Sequence, residues 1–241
     1  LQKVINAFGY RLNALSAEVF FADGVFLVEG TSEVLFYNAL AKALSIDLDR
    51  LNISIISVEG IGFKPYVAVC NALNIPWVLR TDNDIFPKPT NKPTKKYYAG
   101  ISRIMGILQE IFAGTTNSLC EYWDQLQSEN EWAYQSEPPA NATVLNSYVR
   151  SQAVSYGLFV SKVDLETDLA NSPLKNTLLT HYNKRAVNTL IKAMQTKKAE
   201  NMMHFLSQNH NSLSCLSGDN IVLPLNDLKS KVEERIHPTN D

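Results

Sequence analysis

Acidic side chains follow three stretches of the sequence that are typical of buried β-strands. The strands are predicted at 24–29, 75–81 and 157–163. Carboxyl ends of parallel strands lie at one edge of an open sheet, where functional groups gather. We therefore expect the acids that follow them to share one edge of the fold. They are Glu29, Glu33, Asp82, Asp84, Asp164 and Glu166.

Carboxylates crowded at one sheet edge would repel one another and raise one another's pKa. Hard divalent cations relieve this repulsion, because Mg²⁺ and Mn²⁺ prefer carboxylate oxygen. Asp82 and Asp84 are two residues apart and face the same side of an extended segment, and Asp164 and Glu166 repeat this spacing. Two ions about 4 Å apart could hold the attacking water and the leaving oxygen of a phosphodiester. The pattern predicts such a site.

Each acidic motif also has a structural explanation. Glu33 at the start of a helix would favour the helix macrodipole. An Asp-x-Asp pair is common in loops, and the segment 164–166 could cap a helix. Their joint placement after predicted strands favours a metal site over three unrelated surface features.

Strands that alternate with helices must position these acids. The predicted elements are strands at 24–29, 53–58 and 75–81, helices through 44 and over 64–73, and a lead-in helix at 1–20. This alternation implies a right-handed, mostly parallel sheet flanked by helices, which is an α/β fold.

The pattern changes after residue 85, where prolines break regular structure. Helices predicted at 97–112, 117–135 and 142–155 make 86–155 a helical insertion in a core formed by 21–85 and 156–241. Strand 157–163 returns to the sheet. The C-terminal part is predicted to be helical at 183–195, 199–208 and 224–236.

The composition is that of an ordinary globular protein, with 45% apolar residues and a net charge of −2. Three scattered cysteines indicate neither a disulfide framework nor a zinc site, so we expect a cytoplasmic protein. No apolar run reaches membrane-spanning length. The chain starts at Leu1, and we expect it to be a fragment of a longer protein.

Basic residues cluster although the overall charge is slightly negative. Such clusters either contact a DNA backbone or form an ordinary solvated surface. The clusters are Lys88, Lys92, Lys95 and Lys96, then Lys184 and Arg185, then Lys197 and Lys198.

The segment 20–33, which reads FFADGVFLVEGTSE, resembles the opening of the Toprim domain in OLD-family (overcoming lysogenisation defect) nucleases. Toprim domains share a glutamate after the first strand and an Asp-x-Asp after the third, here Glu29 and the pair Asp82/Asp84. The segment 58–63 resembles the second strand and its glycine turn. We assign Glu59, within that segment, no role.

The later sequence agrees with the same family. Residues 161–166 resemble its second acidic cluster after a helical insertion, and 197–200 resemble the site of its C-terminal catalytic lysine. Of the two adjacent lysines we favour Lys198 over Lys197.

The resemblance implies a metal-dependent DNA endonuclease with two Mg²⁺ or Mn²⁺ ions, Ca²⁺ being a further candidate. Its catalytic residues would be Lys198, Glu29 and Asp82. In the family this region follows an ABC-type ATPase domain, through which a homo-oligomer could form, and the proteins often serve in phage defence. The chain lacks a Gly-x-x-x-x-Gly-Lys-[Ser/Thr] motif, so we expect no ATP hydrolysis.

Other functions fit the sequence less well. A topoisomerase needs a tyrosine nucleophile in a separate domain, and a primase would usually bring a zinc-binding cysteine cluster. A haloacid-dehalogenase-like phosphatase would place its Asp-x-Asp after the first strand rather than the third. The alternative from another class is a non-catalytic Toprim module that binds DNA or a partner and needs the ATPase domain for activity.

Overall fold

Seven strands form two sheets in the computed structural model, which describes residues 16–89 and 94–236. The strands are β1 (Gly24–Val28), β2 (Ile53–Ser57), β3 (Trp77–Thr81), β4 (Ile85–Pro87), β5 (Lys95–Tyr98), β6 (Glu131–Ala133) and β7 (Leu158–Val160). The larger sheet has the order β2-β1-β3-β7, and β1 pairs in parallel with both β2 and β3. The predicted mostly parallel α/β fold is confirmed.

Helices flank the sheet, and ten α-helices lie in the described part of the chain. They are α1 (Thr31–Ala43), α2 (Lys64–Ala72), α3 (Ala99–Ile111), α4 (Ser118–Leu126), α5 (Ala140–Ala153), α6 (Leu165–Ala170), α7 (Lys175–His181), α8 (Val187–Gln195), α9 (Lys198–Asn209) and α10 (Leu223–Ile236). Helices α6 and α7 were not predicted, because six or seven residues are too few to show a helical period.

The described residues fall into two compact units. One combines 16–80 with 165–236, and the other is Thr81–Asp164. In the first unit β1 is buried along its whole length, which explains its continuous apolar sequence. Gly24 lets helix α10 approach β1 closely, since a Cβ there would lie 2.5 Å from Val232 Cγ2.

The second unit contains α3, α4, α5 and the smaller sheet, whose strand order is β4-β5-β6. Its strands are antiparallel and were not predicted. The helix predicted over 117–135 is wrong beyond Leu126, because residues 131–133 pair with β5 instead. Pro87 lies in the edge strand β4, where a missing backbone N–H is tolerated.

Three predicted features fall partly or wholly outside the described residues. Only Ser16–Phe20 of the lead-in helix is described, and it forms a 3-10 helix. Lys92 and Pro93 also lie outside the described part of the chain. Within that part, no helix combines the length and the apolar character needed to cross a membrane.

Candidate functional site

The first acidic motif lies where β1 meets α1. Glu29 directly follows β1, and its carbonyl accepts hydrogen bonds from Gly60 N at 2.9 Å and Ser57 Oγ at 3.2 Å. Glu33 lies in the first turn of α1, where it is 5% exposed and accepts a 2.8 Å hydrogen bond from Ser32 Oγ. A carboxylate buried to this degree needs compensating polar or cationic groups.

The second acidic motif follows β3, in the second unit. Asp82 is 5% exposed, and Ser161 Oγ donates to its Oδ1 at 3.3 Å. Ser161 N donates to Thr81 O at 3.0 Å, and Asn83 N donates to Val163 O at 2.6 Å. These bonds advance in the same direction along both segments, so 81–83 and 161–163 run parallel. The structure thus brings together the segments that lead to Asp84 and Asp164.

Two residues fix the backbone between the two aspartates. Asn83 is 1% exposed, its Oδ1 accepts from Ile101 N at 3.2 Å, and its Nδ2 donates to Asn146 Oδ1 at 2.8 Å. Arg103 Nη1 donates to Thr81 Oγ1 and, at 3.3 Å, to Asp82 O. The sequence analysis did not identify these residues, since no local pattern links them to the Asp-x-Asp motif.

Gly100 makes this arrangement possible, and its replacement is a test of it. A Cβ at Gly100 would lie 2.5 Å from Asp82 O and 2.8 Å from Asn83 Cα. We expect Gly100→Ala to lower the free energy of unfolding by about 1–3 kcal/mol, because the backbone between the aspartates must move. Urea unfolding measures this, with Gly218→Ala as the control, since a Cβ there meets nothing within 4 Å. Equal stability of the two variants would contradict the described packing.

The third acidic motif contains a glutamate that forms an ion pair with the predicted catalytic lysine. Glu166, in α6, is 1% exposed, and its Oε2 lies 2.8 Å from Lys198 Nζ at the start of α9. Burial and, secondarily, the charge of Glu166 raise the pKa of Tyr182 to about 12. The Tyr182 hydroxyl therefore stays neutral and donates to Asn201 O at 3.2 Å, which ties α9 to the residue after α7.

The adjacent lysine lies in a different environment. Lys197 has a left-handed backbone with φ of 49°, its side chain is 69% exposed, and its Nζ lies 3.0 Å from Glu200 Oε2. Lys198 thus pairs with a buried acid, whereas Lys197 pairs with an exposed one.

A buried arginine was also missed from the sequence. Arg80, in β3, is 5% exposed, and its Nη2 lies 2.8 Å from Asp168 Oδ2. A positive charge inside an otherwise apolar strand is the signal that could have identified it, because such charges are almost always paired.

The donor chemistry fits a hard divalent cation. Glu33, Asp82, Asp164 and Glu166 are each at most 5% exposed, and they offer only oxygen. Among residues 16–89 and 94–236, however, no three carboxylate, imidazole or thiol groups are arranged as a ready metal site. The residue types therefore suit Mg²⁺ or Mn²⁺.

Comparison with known proteins identifies the segment that carries the first two acidic motifs. Residues 20–84 match the family model for the TOPRIM domain of overcoming lysogenization defect protein-like sequences. These residues are similar in sequence to an OLD-like Toprim domain. The match contains Glu29, Glu33, Asp82 and Asp84, and it confirms the family resemblance that these motifs predicted.

Proteins named as nucleases occur among those to which this chain is similar in sequence. It is 36% identical over 90 residues to an OLD nuclease from Thermus scotoductus, a stretch covering 36% of this chain and 17% of that protein. It is 28% identical over 98 residues to Endonuclease GajA from Bacillus cereus strain VD045, a stretch covering 41% of this chain and 17% of that protein. Endonuclease GajA from Bacillus cereus strain HuB5-5 is 25% identical over 190 residues, which cover 78% of this chain and 24% of that protein. The matched stretches thus span at most about a quarter of these relatives.

Solved structures show that the likeness in fold extends over most of the chain. The C-terminal region of the Xanthomonas campestris pv. campestris OLD protein matches with a TM-score of 0.52 and 22% identity, covering 91% of this chain and 98% of that one. The C-terminal region of the Burkholderia pseudomallei OLD protein matches with a TM-score of 0.53 and 23% identity, covering 88% and 99%. The helical parts outside 20–84 therefore belong to the shared fold.

Proposed function

We propose that this chain is the nuclease part of an OLD-family protein and hydrolyses phosphodiester bonds in DNA with the help of divalent metal ions. The observation that carries the proposal is the Toprim match over 20–84, because it contains acids from two strand ends. Those acids follow β1 and β3, which are parallel neighbours in the sheet. The printed names of the relatives, endonuclease and OLD nuclease, support the same reaction class.

The acids would divide between two metal ions. We assign Glu29, Asp82 and Asp84 to one ion, and Glu33, Asp164 and Glu166 complete or hold the other. When bound, such ions acidify water and neutralise charge on phosphate oxygens. Four of the six carboxylates are at most 5% exposed, and a bound cation would add to the protein contacts that compensate their charges.

Within this assignment the protein's own groups orient the site and stabilise charge. Ser161 Oγ and the Asn83 contacts hold the Asp82 segment, so the carboxylate needs little reorganisation. Lys198 would stabilise negative charge that develops on the scissile phosphate. Its ion pair with Glu166 supports Lys198 rather than Lys197 for this role.

The partners follow from the family assignment. DNA is the proposed substrate, and an upstream ABC-type ATPase domain, with oligomerisation through it, belongs to the proposed full-length protein. We assign the protein to the cytoplasm and, by family, to phage defence. Sequence specificity should be low.

Nicking of supercoiled plasmid tests the proposal. We expect conversion to open circles with Mg²⁺ or Mn²⁺, no conversion with EDTA, and no requirement for ATP. The contrary outcome is no cleavage with any divalent ion, together with a DNA shift in a low-salt gel. That result would replace the nuclease with the non-catalytic binding module.

A further inference from the structure

The smaller sheet presents one exposed face next to the Asp-x-Asp motif. Residues Phe86, Tyr97 and Glu131 are cross-strand partners across β4, β5 and β6, so they lie on the same face. Lys88 and Lys95 join that face, because both make ion pairs with the Glu131 carboxylate, Lys95 Nζ at 3.3 Å from Oε2. We call these five residues the platform.

The opposite face of this sheet buries its central aromatic residues, whereas Ile85 and Pro87 at its β4 edge are exposed. Tyr98 and Trp132 are 8% and 5% exposed, and their ring centroids lie 5.0 Å apart. By contrast, Phe86 is 43% exposed, and the side chains of Lys88 and Lys95 are 42% and 57% exposed. The sheet therefore buries one aromatic pair and leaves Phe86 exposed and Tyr97 half-buried beside two lysines.

The charges of the platform favour an anionic ligand. Partial burial tends to raise the pKa of Glu131, but hydrogen bonds and charge from Lys88 and Lys95 outweigh it and lower that pKa. Glu131 therefore stays ionised and holds both amines on the face. Two lysines against one carboxylate leave a net positive charge beside two aromatic rings.

The platform follows directly in the chain from Asp84, one of the proposed metal ligands. Strand β4 begins at the residue after Asp84, and Ala99 N donates to Asp84 O at 2.8 Å. Phe86 lies two residues from Asp84, so their Cα atoms are at most about 7 Å apart. This separation is comparable to the length of one extended nucleotide.

We propose that the platform binds a single-stranded stretch of the DNA substrate next to the cleaved bond, with bases stacked on Phe86 and Tyr97 and phosphates contacted by Lys88 and Lys95. Surfaces that bind single strands combine aromatic stacking with positive charge, and duplex DNA keeps its bases inaccessible to such stacking. This inference rests on the proposed nuclease function, because it takes the bound single strand to be part of the substrate.

Binding without cleavage tests this inference separately from catalysis. Fluorescence anisotropy in EDTA measures Kd for a labelled single-stranded oligonucleotide and for its duplex. For Phe86→Ala/Tyr97→Ala we expect single-strand Kd to rise about tenfold or more, with duplex Kd changing less than about threefold. Phe21→Ala is the control, because Phe21 is an aromatic residue that is 79% exposed and belongs to the other compact unit. An unchanged single-strand Kd, or equal losses on both DNAs, would overturn the inference.

Two further measurements distinguish base stacking on the aromatic rings from electrostatic attraction between the lysines and the DNA phosphates. An oligonucleotide with a central 2-aminopurine should lose fluorescence on binding the parent chain and lose much less with the double variant. Glu131→Gln should tighten single-strand binding and steepen its salt dependence, by about 0.7 in the log–log slope for each additional phosphate that a lysine neutralises. No quenching by the parent, or weaker binding by Glu131→Gln, counts against the platform. Failure of plasmid nicking with intact single-strand preference would instead count against the nuclease proposal.

Discussion

Asp82→Asn is expected to slow Mg²⁺-dependent plasmid nicking by at least about a thousandfold. A metal ion contributes several kcal/mol of charge stabilisation, and about 4 kcal/mol corresponds to a thousandfold in rate. Asparagine keeps the size of the side chain and an oxygen that can accept from Ser161 Oγ, but it removes the negative charge. The loss should therefore be a loss of metal-assisted chemistry rather than of folding.

The controls for Asp82→Asn separate chemistry from stability. Asp124→Asn removes an exposed aspartate from α4 in the same unit and should cut at the parent's rate. Without metal, Asp82→Asn should unfold at about the same urea concentration as the parent, since asparagine keeps the size of the side chain and the bond from Ser161 Oγ. Addition of Mn²⁺ should stabilise the parent more than the variant. A variant that cuts as fast as the parent would refute the site assignment.

Lys198→Ala is expected to lower kcat by about a hundred- to a thousandfold, the effect of removing one positioned donor from a transition state. KM should change little, because the proposed contact strengthens only as charge develops. Lys197→Ala is the matched control, since Lys197 precedes it directly, is 69% exposed and pairs with exposed Glu200. We expect that variant to stay within about threefold of the parent.

The Lys198 experiment needs a second variant, because the lysine also pairs with buried Glu166. Removing one partner of a buried ion pair can destabilise the fold. Lys198→Arg keeps the positive charge, so it should retain the parent's stability while recovering only part of kcat. If Lys197→Ala loses more activity than Lys198→Ala, the two assignments must be exchanged; if neither loses activity, this segment supplies no catalytic lysine.

The central sheet could be predicted because its strands carry strong local patterns. Residues 24–28 are buried throughout, so β1 appears as a continuous apolar run rather than an alternating one. The acids that follow β1 and β3 were found for the same reason, since a charged residue directly after an apolar run marks the end of a strand.

The small sheet could not be predicted from such patterns. Its strands contain three or four residues, and β5 pairs with a partner more than thirty residues away. The sequence 131–133 carries no alternation long enough to outweigh the helical pattern before it. The platform could therefore not be predicted from the sequence, because its residues share a face only through the cross-strand register.

The supports of the Asp82 segment also depend on tertiary contacts. Gly100 and Arg103 lie about twenty residues from Asp82, and only the approach of α3 to that segment gives them a role. The choice between Lys197 and Lys198 is similar. Lys197 lies before α9 with a left-handed backbone and Lys198 begins the helix, so adjacent residues have different partners.

Anomalous diffraction from crystals soaked in Mn²⁺ tests the central proposal most directly. We expect at least one Mn²⁺ peak about 2.1 Å from carboxylate oxygens of Glu29 and of Asp82 or Asp84, with a second peak that includes Asp164 or Glu166. Well-occupied Mn²⁺ bound elsewhere, with neither Glu29 nor the Asp82/Asp84 pair as ligands, would contradict the proposal that these acids form a cation-binding nuclease site.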